Sequence, residues 1–341
     1  MDAIAQPPWD TRNRPIRDLR ISLIDRCNLR CTYCMPADVF GPDFAFLPRR
    51  ELLDFRELLV LIRAFARAGV TKIRLTGGEP LLRPKLPELI AAIRAIPGIE
   101  EIALTTNAML LKKHVGALKG AGLSRINVSL DALSEDVFGV MSGGRGSVSR
   151  VLEGIDSAGE AGVPVKVNMV VEKGVNEQEI LPMAAYFKPR GVTLRFIEFM
   201  DVGSTNDWNR EKVFSSHEIL QTLRNEWPLR AVSPSYRGEV AKRWAYDDGS
   251  GEIGIISSIS DPFCGDCSRA RISADGKLYT CLFASFGYDF KKWIRSGESE
   301  DELFSRICGI WSARDDRYSE LRSAGRIQET EPKVEMSYIG G

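Results

Sequence analysis

At 341 residues, with 44% apolar and 27% charged side chains, the sequence has the composition of an ordinary globular chain, which excludes a disordered or fibrous protein. Lys plus Arg and Asp plus Glu balance at 46 each, so no overall basic field gathers nucleic acid or an anionic lipid surface, and any anion site must be local. The length exceeds one average domain and predicts a large α/β barrel, alone or with a smaller unit. The opening MDAIAQPPWD lacks the basic start and apolar stretch of a secretory signal, and apolar runs such as Ile90 to Ile93 are too short to span a bilayer. A cytoplasmic location is expected, with no membrane and no nucleic acid as partner. In that reducing compartment the seven cysteines are expected as metal ligands or catalytic groups rather than disulfides.

A first strand is predicted at Leu19 to Ile24, followed at once by DRCNLRCTYCMP. Cys27, Cys31 and Cys34 fall at intervals of four and three residues, which returns three thiolates to one side of a loop. Zinc is the competing reading, but it usually takes four ligands with paired C-x2-C spacing, and the only histidines, His114 and His217, are distant in sequence. Three ligands suit a [4Fe–4S] cubane with one iron left open to chelate the amino and carboxylate groups of S-adenosylmethionine (SAM), a pairing that carries radical chemistry.

A helix is predicted over Asp54 to Ala68, with Leu58, Leu59, Ile62 and Phe65 at helical spacing. A unit then recurs: AGVTKIRLT, PGIEEIALT, AGLSRINVSL, AGVPVKVNMV and RGVTLRFIEF, in which a glycine ends a helix and a short β-rich run follows. With the first strand this makes six βα units and predicts a parallel sheet with right-handed crossovers. A doubly wound open sheet would satisfy the same order. The alternation favours a barrel. Lys72, Arg74 and Thr76 share one strand face, as do Asn127 with Ser129 and Lys166 with Asn168, while Ile73, Leu75, Ile126, Val128, Val165 and Val167 share the other. A polar inner face is costly to bury dry, so the concave side is expected to hold a polar ligand and water. At the end of the second strand stand Thr76, Gly77, Gly78, Glu79 and Pro80. With the cysteine motif, this GGEP element makes the sequence resemble the radical SAM superfamily, which uses GGEP to hold the methionyl amino group and a residue at the place of Tyr33 to pack on the adenine.

After about residue 205 the repeat stops. A helix from His217 to Trp227, runs near 240–246 and 253–257, and a helical segment near Glu300 to Ala313 predict a second, smaller region, so the chain divides into 1–230 and 231–341. The later region carries DPFCGDCSRARISADGKLYTCLF, again three thiolates, Cys264, Cys267 and Cys281, without a local fourth. They read either as a second open cluster or as a zinc site completed by Asp266 or Cys308, although Cys308, in LFSRICGIW, reads better as a buried free cysteine. Arg269 and Arg271 alternate, point the same way if extended, and suit an anionic substrate through bidentate contacts to phosphate.

The order of DRCNLRCTYCMP, RLTGGEPLLR, TTN, VSLD, KVN, RFIEFM, the second cysteine run and a terminal Gly-Gly resembles the GTP 3′,8-cyclase family from about Arg20 to Gly341. The resemblance implies a partial (β/α)6 TIM-type barrel of the radical SAM type with a C-terminal extension, two [4Fe–4S] clusters and SAM. It implies the first step of molybdenum cofactor biosynthesis, in which GTP becomes (8S)-3′,8-cyclo-7,8-dihydroguanosine 5′-triphosphate: hydrogen leaves ribose C3′ and that carbon bonds to guanine C8. By motif, Tyr33, Gly78, Ser129 and Met200 would contact SAM. Arg20, Arg74, Thr105, Lys166, Arg269 and Arg271 would contact GTP. Arg269, Arg271, Gly340 and Gly341 would take part in catalysis, the glycines by inserting into a narrow cavity. An external electron donor, the downstream cyclic pyranopterin monophosphate synthase and a homodimer are the partners it implies. One departure is Ala108, where the family commonly has Gly after TTN. A peptide-modifying radical SAM enzyme usually carries more C-terminal cysteines, and an Fe–S electron carrier has no use for GGEP or the polar strand face.

Overall fold

The computed structural model describes residues 7–326 and 332–340. Gly341 lies outside them. Six strands, β1 (Asp18–Ser22), β2 (Lys72–Thr76), β3 (Glu101–Thr106), β4 (Arg125–Ser129), β5 (Val165–Val171) and β6 (Thr193–Glu198), pair in parallel in chain order. The helices between them are α1 (Phe55–Arg67), α2 (Leu86–Arg94), α3 (Leu111–Gly120), α4 (Glu135–Ser142), α5 (Val148–Glu160) and α6 (Ile180–Phe187). Helix α1 starts where Asp54 and Glu57 form a reciprocal capping box. It buries Leu58, Leu61, Ile62 and Phe65, while Leu59 stays half-buried at the rim of that stripe. Gly69, just past its end, has φ of +106° and turns the chain into β2. The expected six-unit parallel order is therefore present. β1 and β6 do not pair with each other, so the barrel is partial.

The later part of the chain does not form a separate layer. After α7 (Ser216–Glu226) come β7 (Leu229–Val232), β8 (Lys242–Tyr246) and β9 (Glu252–Ile256), and β9 joins the open edge of β6 in parallel. The chain then crosses to the other edge, where β10 (Arg269–Ile272) pairs in parallel with β1 and continues antiparallel into β11 (Lys277–Tyr279) and β12 (Tyr288–Asp289). The result is one sheet ordered β12-β11-β10-β1-β2-β3-β4-β5-β6-β9-β8-β7. Four helices complete the chain: α8 (Phe290–Arg295), α9 (Glu300–Ser312), which packs on α1, α10 (Tyr318–Ser323) and the single turn α11 (Met336–Ile339).

Topology fixes where the two cysteine motifs sit. Cys27, Cys31 and Cys34 follow β1 and so lie beyond the C-terminal ends of the parallel strands. Cys264 and Cys267 precede β10, which runs parallel to β1, and Cys281 follows β11, which runs back along β10. All three therefore lie toward the opposite, N-terminal ends of the strands.

Candidate active site

One cavity of about 540 Å³ is lined by all six of these cysteines. It is also lined by every described residue to which a GTP or SAM contact was assigned: Arg20, Tyr33, Arg74, Gly78, Thr105, Ser129, Lys166, Met200, Arg269 and Arg271. Of the polar strand residues that the alternation picked out, Lys72, Arg74, Thr76, Ser129, Lys166 and Asn168 line it, while Asn127 is fully buried and accepts from Arg195 Nη2 at 2.7 Å.

At the first-motif end, backbone lies directly against backbone. Gly78 N–H donates to Ile24 O at 2.7 Å and Glu79 N–H to Arg26 O at 2.8 Å, tying the end of β2 to the cysteine loop. A Cβ on Gly77 would stand 2.5 Å from Ile24 O, and one on Gly78 would collide with the Arg26 carbonyl. These glycines thus give the loop room to approach. Glu79 is buried and accepts from Thr106 Oγ1 at 2.7 Å, Asn107 N at 2.9 Å and Leu81 N at 3.0 Å. Burial pushes its carboxyl up to about 7 against those hydrogen bonds. Asn107 Nδ2 reaches Cys27 Sγ at 3.6 Å, and the Tyr33 hydroxyl donates to Asp131 Oδ2 at 2.9 Å. Ala108 follows with φ of +60°, a left-handed conformation that suits the glycine this position departs from.

The middle of the cavity is cationic. Strand register places Arg271, Arg20 and Arg74 side by side across β10, β1 and β2, with Arg269, Asp18 and Lys72 as the next such row. Like charges directly opposite repel, and Asp18 is the single carboxylate in these two rows. Arg20 Nε, Arg74 Nε, Thr105 Oγ1 and Arg195 Nε are buried without a hydrogen-bond partner. Burial, then Arg74 and Arg271, lower the Arg20 guanidinium well below its usual range; burial, then Arg74 and Arg125, bring Arg195 to about 9. Burial, then Arg269, brings Arg271 to about 10. Burial also lowers Lys72 to about 8, opposed by Asp18. Taking an ion out of water costs several kcal/mol, whereas an ordinary hydrogen bond returns about 1 kcal/mol. Such a row makes physical sense as a seat for a polyanion.

At the far end, Arg269 donates from Nη2 to Cys267 Sγ at 3.1 Å and from Nε at 3.3 Å. Burial pushes that thiol up, but Arg269 and Arg314 outweigh it and draw it down to about 6. The tail returns to the cavity. Glu335 accepts from Ser204 N and Thr205 Oγ1 at 2.9 Å each, Ile339 is fully buried, and the carbonyl of Gly340 accepts from Arg271 Nη1.

Two family models match the chain, "Radical SAM superfamily" over residues 21–187 and "Molybdenum Cofactor Synthesis C" over residues 192–320. The GTP 3′,8-cyclase of Xanthomonas axonopodis pv. citri is 52% identical over 98% of this chain and 99% of its own length, and that of Staphylococcus carnosus is 49% identical over 97% and 98%. The chain belongs to the GTP 3′,8-cyclase family. Solved radical SAM enzymes share the fold: Streptococcus suis SuiB bound to S-adenosylmethionine aligns with a TM-score of 0.61 at 16% identity over 89% of this chain and 69% of its own. Native anSMEcpe with bound AdoMet gives 0.57 at 17% over 84% and 80%.

Membership in the GTP 3′,8-cyclase family makes the chain a radical SAM enzyme, with SAM and two [4Fe–4S] clusters as cofactors, and the residues present fit them. Both cysteine triplets are free thiols facing one cavity. Among the described residues no three His, Cys, Asp or Glu side chains converge on a point as a single zinc ion demands; a cubane takes each thiolate on a different iron. The zinc alternative also lacks a fourth ligand. Asp266 pairs with Arg237 at 2.6 Å, and Cys308 lies in α9 against the hydrophobic core.

Several cavity residues escaped the sequence reading. Arg195 stands on β6 opposite Gly254 of β9, where a Cβ would sit 2.8 Å from Arg195 Cγ. The alternation that selected Arg74 and Lys166 would have selected it too. Asp131 and Asn107 stood within quoted motifs, VSLD and TTN, with no role given. Tyr236, facing Lys72 at 5.8 Å from its ring centre, carried no sequence signal.

Proposed function

We infer that the chain converts GTP to (8S)-3′,8-cyclo-7,8-dihydroguanosine 5′-triphosphate, the first step of molybdenum cofactor biosynthesis. The observation that carries the reading is the register-matched row Arg271, Arg20 and Arg74, with Nε of Arg20 and of Arg74 buried without a partner, between two cysteine triplets at opposite ends of one cavity. Arg20, Lys72, Arg74, Thr105, Lys166 and Arg195, all lining the cavity, hold the triphosphate, and their fixed strands hold the ribose in one attitude. Arg269 and Arg271 approach the base beside the second triplet. Tyr33, Gly78, Ser129 and Met200 seat SAM. When bound, SAM and the first cluster supply a carbon radical able to take hydrogen from the ribose. Gly340, placed against Thr76 where a Cβ would collide with its methyl, narrows the cavity beside Arg271 and excludes water there.

In this scheme residues 1–230 form the radical SAM partial barrel, which seats SAM and the triphosphate, and 231–341 the second-cluster region with its Gly-Gly tail. The enzyme takes electrons from an external donor, passes its product to a cyclic pyranopterin monophosphate synthase, works in the cytoplasm and pairs as a homodimer. No helix among the described residues is long and apolar enough to cross a membrane. The test is anaerobic incubation of the reconstituted protein with SAM, GTP and a reductant. Cyclised nucleotide and 5′-deoxyadenosine should appear together, and 5′-deoxyadenosine formation indifferent to GTP would overturn the reading.

A further inference from the structure

The loop bearing Cys264 and Cys267 has little core of its own. Its single helical turn, Cys264–Asp266, buries no residue. What it rests on is the segment before β1, some 250 residues earlier in the chain. Asp10 folds that segment over: its Oδ1 accepts from Arg12 N and Arg14 N at 2.9 Å each, and its Oδ2 accepts from Arg14 Nε at 2.6 Å and Arg314 Nη1 at 3.1 Å. The side chains of Asp10 and Arg14 are fully buried and that of Arg314 nearly so. Arg14 Nη1 donates to Cys264 O and to Asp316 O, both at 2.7 Å, and Arg314 Nη1 to Cys267 O at 2.7 Å. Arg17 N and Asp18 N donate to Ser268 O at 3.0 and 3.1 Å.

We propose that Asp10, Arg14 and Arg314 are positioning residues for the second cluster, fixing the backbone of two of its ligands before any metal is present. This rests on the reading of Cys264, Cys267 and Cys281 as cluster ligands. Arg14 acts on backbone alone, whereas Arg314 holds the Cys267 carbonyl and also, beside Arg269, helps draw the Cys267 thiol down. Asp10 and Asp316 balance their charge, Arg314 Nε donating to Asp316 Oδ2 at 3.0 Å, and the close hydrogen bond to the Cys267 sulfur comes from Arg269. Stability alone is a weak explanation for the triad, because a buried ion pair often adds little over well-packed apolar residues. Its distinguishing feature is where the donors end: on the carbonyls of Cys264 and Cys267, so that the ligands inherit the rigidity of the β1 edge. Partners beyond the ligands themselves commonly matter to metal affinity by 10–100-fold.

The test compares Arg14→Gln, Arg314→Gln and Arg314→Lys with Cys267→Ser in the full chain. In the metal-free protein, amide exchange across 262–268 should rise about tenfold or more in the two Gln variants while β2 to β5 stay protected. After reconstitution these variants should lose about half the iron and the second cluster's electron paramagnetic signal, yet still cleave SAM, while Arg314→Lys retains part of both. Unchanged exchange across 262–268 with full iron would overturn the proposal. So would equal loss at both clusters, which would make the triad a general element of the fold. If Cys267→Ser keeps full iron, the ligand reading fails instead, and the exchange measurement still decides the triad.

Discussion

The two cysteine loops are held from different places, the first by residues near it around the ends of β1 to β3 and the second by a segment from the far end of the chain. The first, residues 27–34, is clamped from within its own neighbourhood: strand-end backbone, the Gly77–Gly78 approach, Asn107, and the loop's own buried Arg30, whose Nη1 donates to Cys27 O at 2.9 Å and Leu29 O at 2.8 Å. The second, residues 264–267, hangs on buried ions from a segment remote in sequence. Their electrostatics diverge accordingly. Burial pushes Cys27 up to about 11 and raises Cys31 and Cys34 too, whereas Cys267 is drawn down to about 6 by Arg269 and Arg314. The lesson is a separation of labour: the sheet itself seats the first loop, and a tether to the N-terminal segment seats the second, so each should fail without the other.

The strongest test of that separation is loss of one ligand from each loop. Cys34→Ser should abolish both SAM cleavage and cyclisation, by a factor on the order of 10³ or more, because the cofactors carry the chemistry. Cys264→Ser should abolish cyclisation yet leave 5′-deoxyadenosine formation, assayed by chromatography, and joint loss would break the comparison. Next comes Gly78→Ala. Its methyl meets the Arg26 carbonyl, and overpacking of this kind costs about 1–3 kcal/mol. Denaturant unfolding should show the loss, with iron missing from the first cluster and the second intact.

A smaller effect probes the charge contrast. Lys72 is a cationic group depressed to about 8, so its charge is present below that pH and disappears above it. A triphosphate held partly by Lys72 should bind more weakly as pH rises past 8, by up to about tenfold per unit. Calorimetric titration of GTP between pH 7 and 9 in buffers of differing ionisation heat should show proton uptake on binding at the upper end, and Lys72→Arg should flatten the profile. The smallest expected effect is at Ala108. Replacing it with Gly relieves a left-handed backbone against a greater loss of chain entropy, for a net gain of about 0.5–1 kcal/mol in denaturant melts. SAM cleavage and the second cluster should be untouched.

Much of this arrangement was legible in the sequence because it is locally encoded. Glycines at helix ends and a period-two alternation of Lys72, Arg74 and Thr76 against Ile73 and Leu75 are signals within a few residues, and they placed the strands and the faces that line the cavity. The cysteine spacings were equally local. What stayed hidden depends on partners far along the chain. That β9 would join β6 and β10 would join β1 has no local signature, since strands of four or five residues state their pattern too briefly to name a neighbour. Asp10 and Arg14 carry no local signal, because their partners, Arg314 and the Cys264 carbonyl, lie some 250 to 300 residues along the chain. Glu79 was read through its glycine neighbours, and its burial is a product of the turn after β3 closing over it.

That the last third of the chain supplies both outer flanks of the barrel also bears on how the protein is made. While a ribosome is still translating residues before 252, β1 and β6 are finished but have bare edges, and exposed strand edges invite pairing with other chains. The outer partner of β1, β10, arrives about 250 residues after β1 itself, a separation that makes for slow, high-contact-order folding. The interval in which the nascent enzyme is most exposed to aggregation therefore ends only when the segment bearing the second cysteine motif emerges and covers the β1 edge.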